Sequence, residues 1–292
     1  MSNERAHPMA IDTTGSRPAN VDGRLTTSST GLDIHLRDVT LLFPRPDGKG
    51  MLPVYEHFDL SVEQGSFTVL LGPSGCGKST LLNIVDGLLT PNSADVLEVL
   101  GRDLRNDPDV TRQCAYVFQN ARLLKWKTLR GNVEFGLRGL AVQPRSRWNE
   151  LMDHYFGVVG LKDFMDYYPH QVSGGMQQRA AIVRAFVNEP QILLMDEPFS
   201  HLDEITAAEL RRELVRLWTQ DDQRRTILFV THDISEAVQL GQRIIVLTPR
   251  PATICHEERV DLPYPRFGDD NRVFGIEQTL RKVLAERAGV QV

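Results

Sequence analysis

Apolar residues recur along this chain in two periods, and the order in which the periods alternate outlines a fold. "LDIHLRDVTLLF" (32–43) and "VYEHFDLSVEQ" (54–64) alternate with period two and predict strands, joined by the turn-rich "PRPDGKGMLP". A short apolar strand, "SFTVLLG", runs into a glycine-rich loop, after which "KSTLLNIVDGLL" places Leu81, Val85, Leu88 and Leu89 on one helical face. From about 122 to 172 the pattern turns helical, as in "RSRWNELMDHYFGVVGL", and predicts an inserted helical subdomain. Alternation then resumes with a strand "QILLMDEP", a helix carrying Leu210, Leu214 and Leu217, a strand "RTILFVTHD", a helix "ISEAVQL" and a strand "RIIVLTP". Continuous apolar strands separated by amphipathic helices predict a mainly parallel sheet covered on both faces.

The ends differ from this body. Residues 1–31 are rich in Ser, Thr, Gly, Pro and Asn and are expected to be a disordered extension. The main domain is expected over 32–262, followed at 263–292 by a loop with Pro263 and Pro265 and a peripheral helix in "IEQTLRKVLAERAGV".

Composition narrows the class. A chain of 292 residues with 41% hydrophobic and 24% charged residues can bury a substantial core, and a net charge of −5 gives no basic footprint for nucleic acid. No apolar run reaches the roughly 18 to 20 residues that span a bilayer, and the N-terminus lacks the apolar core of a secretory signal. Cys76, Cys114 and Cys255 are too scattered for a disulfide framework or a zinc site and fit a reduced compartment.

Two stretches look built for anions. In "GPSGCGKST", Gly72, Gly77, Lys78 and Ser79 satisfy G-x-x-x-x-G-K-[ST]. Backbone N–H groups from Gly72, Pro73, Ser74, Gly75, Cys76, Gly77 and the residues that follow, through Thr80, can wrap phosphates, proline excepted. Lys78 reaches the β- and γ-phosphates, and the Ser79 hydroxyl ligates Mg²⁺. Cys76 is a small filler or an alkylation-sensitive thiol. About a hundred residues on, Ser173, Gly174 and Gly175 precede a long helical run, a second backbone anion site. Asp196 ends an apolar strand, where ligands gather at the carboxyl edge of a parallel sheet, and Glu197 follows it directly. Adjacent carboxylates at a strand end point in different directions, so one can serve a metal while the other polarises an attacking water. An ordinary charged strand end is the plain alternative.

With "VFQN" (117–120), "VSGGMQQR" (172–179), "SHLD" (200–203) and "VTHD" (230–233) in the same order and spacing, the chain resembles the ABC-type ATPases over about residues 32–250. The resemblance implies an α/β P-loop NTPase fold with a mixed, mainly parallel sheet, an antiparallel β subdomain and an inserted α-helical subdomain. It implies ATP and Mg²⁺ as ligands, the metal held by Ser79, Gln119 and Asp196. Glu197 is then the general base, His232 the switch histidine at the γ-phosphate, and Gln119 the sensor of metal and phosphate. Asp203 joins two sites across a head-to-tail dimer, in which Ser173, Gly174 and Gly175 cap the ATP of the opposite subunit. An early-strand aromatic stacks on adenine, and Phe43 is the candidate, with Tyr55 as the alternative.

"NARLLKWKTLRGNVEFGL" and "RIIVLTPRPATICHEERVDLPYPR" further resemble the nitrate, sulfonate and taurine importer branch. That implies a subunit on the cytoplasmic face of the membrane, working as a dimer with two transmembrane permease subunits and, through them, an extracytoplasmic binding protein. Leu123, Leu124 and Trp126 are candidates for the groove that receives the permease, or for subdomain core. Val172, Met176 and His201 depart from the ATPase pattern, so altered interface packing or rate is expected, not lost hydrolysis; Lys125 and Tyr264 depart from the pattern of the importer branch. A separate C-terminal regulatory domain is not expected. The alternatives are a soluble ATPase acting on DNA or ribosomes, for which no tandem domain, coiled-coil insertion or basic arm is visible, and a nucleotide-binding protein without turnover, which the intact Glu197 and His232 disfavour.

Overall fold

A computed structural model describes residues 31–140, 144–219, 225–266 and 270–288; the expected N-terminal extension lies, apart from Gly31, outside them. β1 (Leu32–Pro44) and β2 (Met51–Glu63) pair antiparallel, and β4 (Val96–Val99) and β5 (Arg102–Asp103) complete a four-stranded sheet in the order β2-β1-β4-β5. The second sheet has six strands, in the order β10-β9-β3-β8-β7-β6. Its strands β3 (Phe67–Leu71), β6 (Cys114–Val117), β7 (Ile192–Asp196), β8 (Thr226–Thr231) and β9 (Arg243–Leu247) are parallel, and β10 (Ile254–Arg259) closes one edge antiparallel.

Strand alternation sorts the apolar side chains into two cores. Phe67, Val69, Leu71, Ile227, Phe229, Ile244 and Val246 face one way, toward a cluster that includes side chains of the helices α2 (Leu129–Leu140), α3 (Arg145–Val158), α4 (Gly174–Phe186), α5 (Glu204–Thr219), α6 (Ile234–Leu240) and α7 (Asn271–Arg287). Leu70, Leu194, Leu228, Val230, Ile245 and Leu247 face the other, against α1 (Lys78–Val85) and the antiparallel sheet. All five residues of β3 and of β7 are buried, at about 1.5–3 kcal/mol for each large apolar side chain. The strands that carry the glycine-rich loop and Asp196 are therefore packed on both faces and resist deformation. Among the described residues no helix is long and apolar enough to cross a membrane.

Two expectations need correction. Helix α1 stops at Val85, because Gly87 adopts φ +71° and turns the chain away. Leu81 and Val85 are buried as expected, but Leu88 is 62% exposed. Helical structure also begins at Leu129 rather than near 122. The fully buried Asn132 explains the delay: its side chain accepts from Leu124 N and donates to the carbonyls of Leu124, Lys127 and Thr128, so it holds that stretch in a non-helical loop.

Asp86, at the end of α1, is pushed up to about 7 by burial. An unfolded aspartate titrates near 4, so between these values the folded chain binds more protons and its stability falls as pH rises, levelling above 7. Asp86→Asn removes that slope. Discounted for partial exposure, the variant should be about 1–2 kcal/mol more stable than the parent at pH 8.5 and little different at pH 4.5, read by urea unfolding. Parallel pH profiles would refute it.

Candidate functional site

Three loops leave the carboxyl edge of the parallel sheet beside one another. The first, between β3 and α1, is shaped by Gly75 and Gly77, at φ +78° and +129°. It encloses Lys78, only 4% exposed, whose Nζ donates to the carbonyls of Gly72 at 2.7 Å and Pro73 at 3.0 Å. Tyr55, fully buried, braces the loop from β2 by donating its hydroxyl to Gly77 O at 2.8 Å. Cys76 is buried, and desolvation pushes its thiol up despite the Lys78 charge.

The second loop follows β7. Asp196 is nearly buried, and burial is the main cause raising its carboxyl above the usual range. Ser79 Oγ donates to Asp196 Oδ1 at 2.8 Å. An alcohol oxygen beside a buried carboxylate short of positive charge is a donor pair that suits a hard cation such as Mg²⁺. Glu197 adopts φ +43°, a strained conformation for a side chain with a Cβ, costing roughly 1–3 kcal/mol. Its carboxylate has partners other than those of Asp196: Oε2 pairs with His232 Nδ1 at 3.0 Å and accepts from Gln119 Nε2 at 3.4 Å. Gln119 also reaches Ser200 Oγ at 3.4 Å. The residues expected to act on water thus converge on one oxygen.

His232 sits on the third loop, between β8 and α6, in a turn built by its neighbours. Asp233 caps α6 by accepting from Glu236 N at 2.9 Å, and Thr231 Oγ1 donates to Glu236 Oε2 at 2.7 Å while accepting from Asp233 N. Arg211 NH1 donates to Glu236 Oε1 at 3.2 Å, tying the turn to α5. Sequence reasoning passed over Thr231, Glu236 and Arg211, although "DISE" is a capping-box spacing that signals this turn. It also passed over Tyr116, which donates to Asp196 Oδ2 at 3.4 Å.

The second stretch expected to bind anions lies at the start of α4, where Gly174 lines a cavity together with Gln119. Ser173 caps α4, accepting from Met176 N at 3.3 Å. Gly175 packs against the start of α5 and the residues just before it, since a Cβ there would come within 3.3 Å of Leu202 Cδ2 and 3.6 Å of Thr206 Cγ2. Gly174 has no such reason to be glycine: it is helical, and a Cβ would meet nothing within 4 Å. Asp203 accepts from Thr206 N at 3.0 Å, which lowers its pKa, and Ile205 beside it is 76% exposed.

Phe43 is 36% exposed near the end of β1, whereas Tyr55 has no free face. A groove of about 500 Å³ runs from β6 to α2 and α4, lined among others by Phe118, Arg122, Leu124, Phe135 and Asn188. Of the residues expected in a groove, Leu124 lines this one, Leu123 lines a neighbouring cavity with His170 and His201, and Trp126 is 73% exposed.

Residues 55–200 match the profile described as ABC transporter. The taurine import ATP-binding protein TauB of Jannaschia sp. is 39% identical over 254 residues, spanning 87% of this chain and 88% of that protein. The nitrate import ATP-binding protein NrtD of Synechococcus elongatus is 40% identical over 243 residues, 82% of this chain and 84% of that one. The dimeric structure of MJ0796, a bacterial ABC transporter cassette, superposes with a TM-score of 0.68 at 30% identity, covering 79% of this chain and 100% of that one. A dimeric post-hydrolysis state of MJ0796 bound to ADP and Pi gives 0.67 at 29%, with the same coverage.

Proposed function

This chain belongs to the ABC transporter family and is an ATPase, and we propose that it is the energy-coupling subunit of a membrane importer for a small anion or organic ion. Nitrate, taurine or another sulfonate, and bicarbonate are the substrate class, a reading supported by the taurine and nitrate import relatives.

In this reading Lys78 and the loop from Gly72 to Thr80 hold the phosphates of ATP, and Phe43 stacks on adenine. Ser79 and Asp196, with Gln119, hold Mg²⁺. The metal, when bound, neutralises charge developing on the phosphates. Glu197 takes the proton of the attacking water, and His232 and Gln119, both bonded to its Oε2, orient it. ATP closes a head-to-tail dimer of two copies and hydrolysis reopens it, moving the helical subdomain against two permease subunits. A short permease helix fills the groove beside Phe135, with a binding protein on the far side of the membrane. The chain then lies peripherally on the cytoplasmic face.

The observation that supports the dimer is the N-terminus of α4, capped by Ser173, where a Cβ on Gly174 would meet nothing within 4 Å. That opening leaves the first N–H groups of the helix accessible to an anion from outside the chain, here the nucleotide of the opposite copy. Gly174→Ala should leave the thermal midpoint unchanged or slightly raised and lower ATP hydrolysis more than about tenfold, with ATP still bound by the monomer. In the same preparation, the parent co-expressed with its permease neighbours should sediment with membranes. Full hydrolysis by the variant removes the head-to-tail site, and a parent that stays soluble removes the importer.

A further inference from the structure

The carboxylate of Asp196 is held at both oxygens, and one of the two holders lies outside the phosphate-binding loop. Ser79 donates to Oδ1, and the Tyr116 hydroxyl, from β6, donates to Oδ2 at 3.4 Å. Sheet register sets up the second contact. β6 runs parallel to β7 with Tyr116 opposite Leu194, so the Tyr116 side chain leaves the same face as Leu194 and, two residues on, Asp196. Two strand residues cover about 6.6 Å, a distance a tyrosine spans from Cα to hydroxyl. Phenylalanine or methionine in that place would bring no donor. A phenol hydroxyl is a hydrogen-bond donor at neutral pH.

The same ring has a second neighbour. It stacks on Phe118, with centroids 4.1 Å apart and planes 20° from parallel, and the Arg122 guanidinium lies 4.0 Å over the Phe118 ring. Tyr116, Phe118 and Arg122 all line the groove between β6, α2 and α4. One side chain therefore belongs both to the wall of the groove and to the shell of the carboxylate.

We propose that Tyr116 is a positioning residue for the metal-binding carboxylate: its hydroxyl fixes Oδ2 of Asp196 and keeps Oδ1 turned toward Ser79. The proposal rests on the reading that Asp196 holds Mg²⁺. The terminal torsion of an aspartate is broad and nearly two-fold, so a carboxylate bonded at one oxygen alone samples orientations that turn Oδ1 away from Ser79. Removing the hydroxyl should weaken the metal and leave the grip on nucleotide untouched.

Tyr116→Phe in the full chain keeps the ring and its stack. A fluorescent ATP analogue titrated in EDTA should bind this variant within about twofold of the parent. The Mg²⁺ concentration that half-restores the metal-dependent gain in analogue affinity should rise about threefold to tenfold, the net effect of one ordinary hydrogen bond, as suits a contact of 3.4 Å. Half-saturation of hydrolysis by Mg²⁺ should move in parallel, with kcat at saturating Mg²⁺ changed less than twofold. Tyr116→Met serves in its place if the phenylalanine variant does not fold, with the same expectation. Asp196→Asn is the reference and should shift the Mg²⁺ half-point further. If Asp196→Asn shifts it and Tyr116→Phe does not, the role of Tyr116 is overturned while the Asp196 reading stands. If neither shifts it, that reading fails and the proposal with it. Equal weakening of binding in EDTA and in Mg²⁺ marks a merely structural residue and also overturns the proposal.

Discussion

Glu197→Gln is expected to bind ATP as the parent does and to hydrolyse it at least about a hundredfold more slowly, the usual range for loss of a general base. The substitution is nearly isosteric, so the strained turn at φ +43° and the approach of His232 and Gln119 to one side-chain oxygen survive it. What disappears is an atom able to accept a proton from water. A glutamine there also donates through its amide, which changes the pairing with His232 Nδ1 but not with the distant Lys78 cradle. Binding and turnover therefore separate: the analogue affinity stays within about twofold while kcat collapses. The closed dimer should accumulate and be visible by size-exclusion chromatography in ATP. Hydrolysis at the parental rate would remove Glu197 from its assigned role, and a parallel loss of binding would show that the turn, not the proton, was damaged.

Gly77→Ala is expected to lower the thermal midpoint by roughly 5–10 °C and ATP affinity by more than about tenfold. Its φ of +129° lies where L side chains rarely go, and the added Cβ would stand 2.8 Å from both the Tyr55 hydroxyl and Val54 Cγ1. Neither neighbour has room to yield. Tyr55 and Val54 are fully buried, and the Tyr55 hydroxyl is already committed to Gly77 O. The loop must then move, taking with it the first residues of α1, where Lys78 and Ser79 sit. Gly75→Ala is the matched comparison. It too has positive φ, but a Cβ there meets nothing within 4 Å, so strain alone, about 1 kcal/mol, is expected. Differential scanning fluorimetry and analogue titration on the pair separate crowding from strain, and equal losses would refute the steric argument.

Most of the sheet was legible because its strands leave no polar face to confuse the pattern. "ILLM", "TILFV" and "IIVL" are buried on both sides and read as continuous apolar runs. The family motifs located the residues around Glu197 before any coordinate. The failures share another cause, side chains or glycines that override local periodicity. Leu88 keeps helical spacing, but Gly87 has already ended the helix. Residues 124–128 carry helix formers, but Asn132 takes their carbonyls. The β4–β5 hairpin turns on Leu100 and Gly101, both at positive φ, and leucine gives no turn signal of the Asn-Gly kind. Tyr116 was missed because its role depends on which strand lies beside β6, and strand order is not written in any local stretch.

The bonds that Lys78 makes bear on how quickly its partner is accepted. A lysine ammonium in water is strongly hydrated, and stripping that shell is ordinarily charged against binding. Here folding has already done the stripping: Nζ lies inside its own loop, its hydration replaced by the Gly72 and Pro73 carbonyls. In the proposed function, an incoming phosphate would exchange a weak dipole for a full negative charge at a cation already withdrawn from water. Discrimination then falls on charge rather than on shape, since a neutral group of the same size offers the ammonium nothing better than the carbonyls it holds. On the proposed reading, the loop is in this sense set for a polyanion from the moment the chain folds.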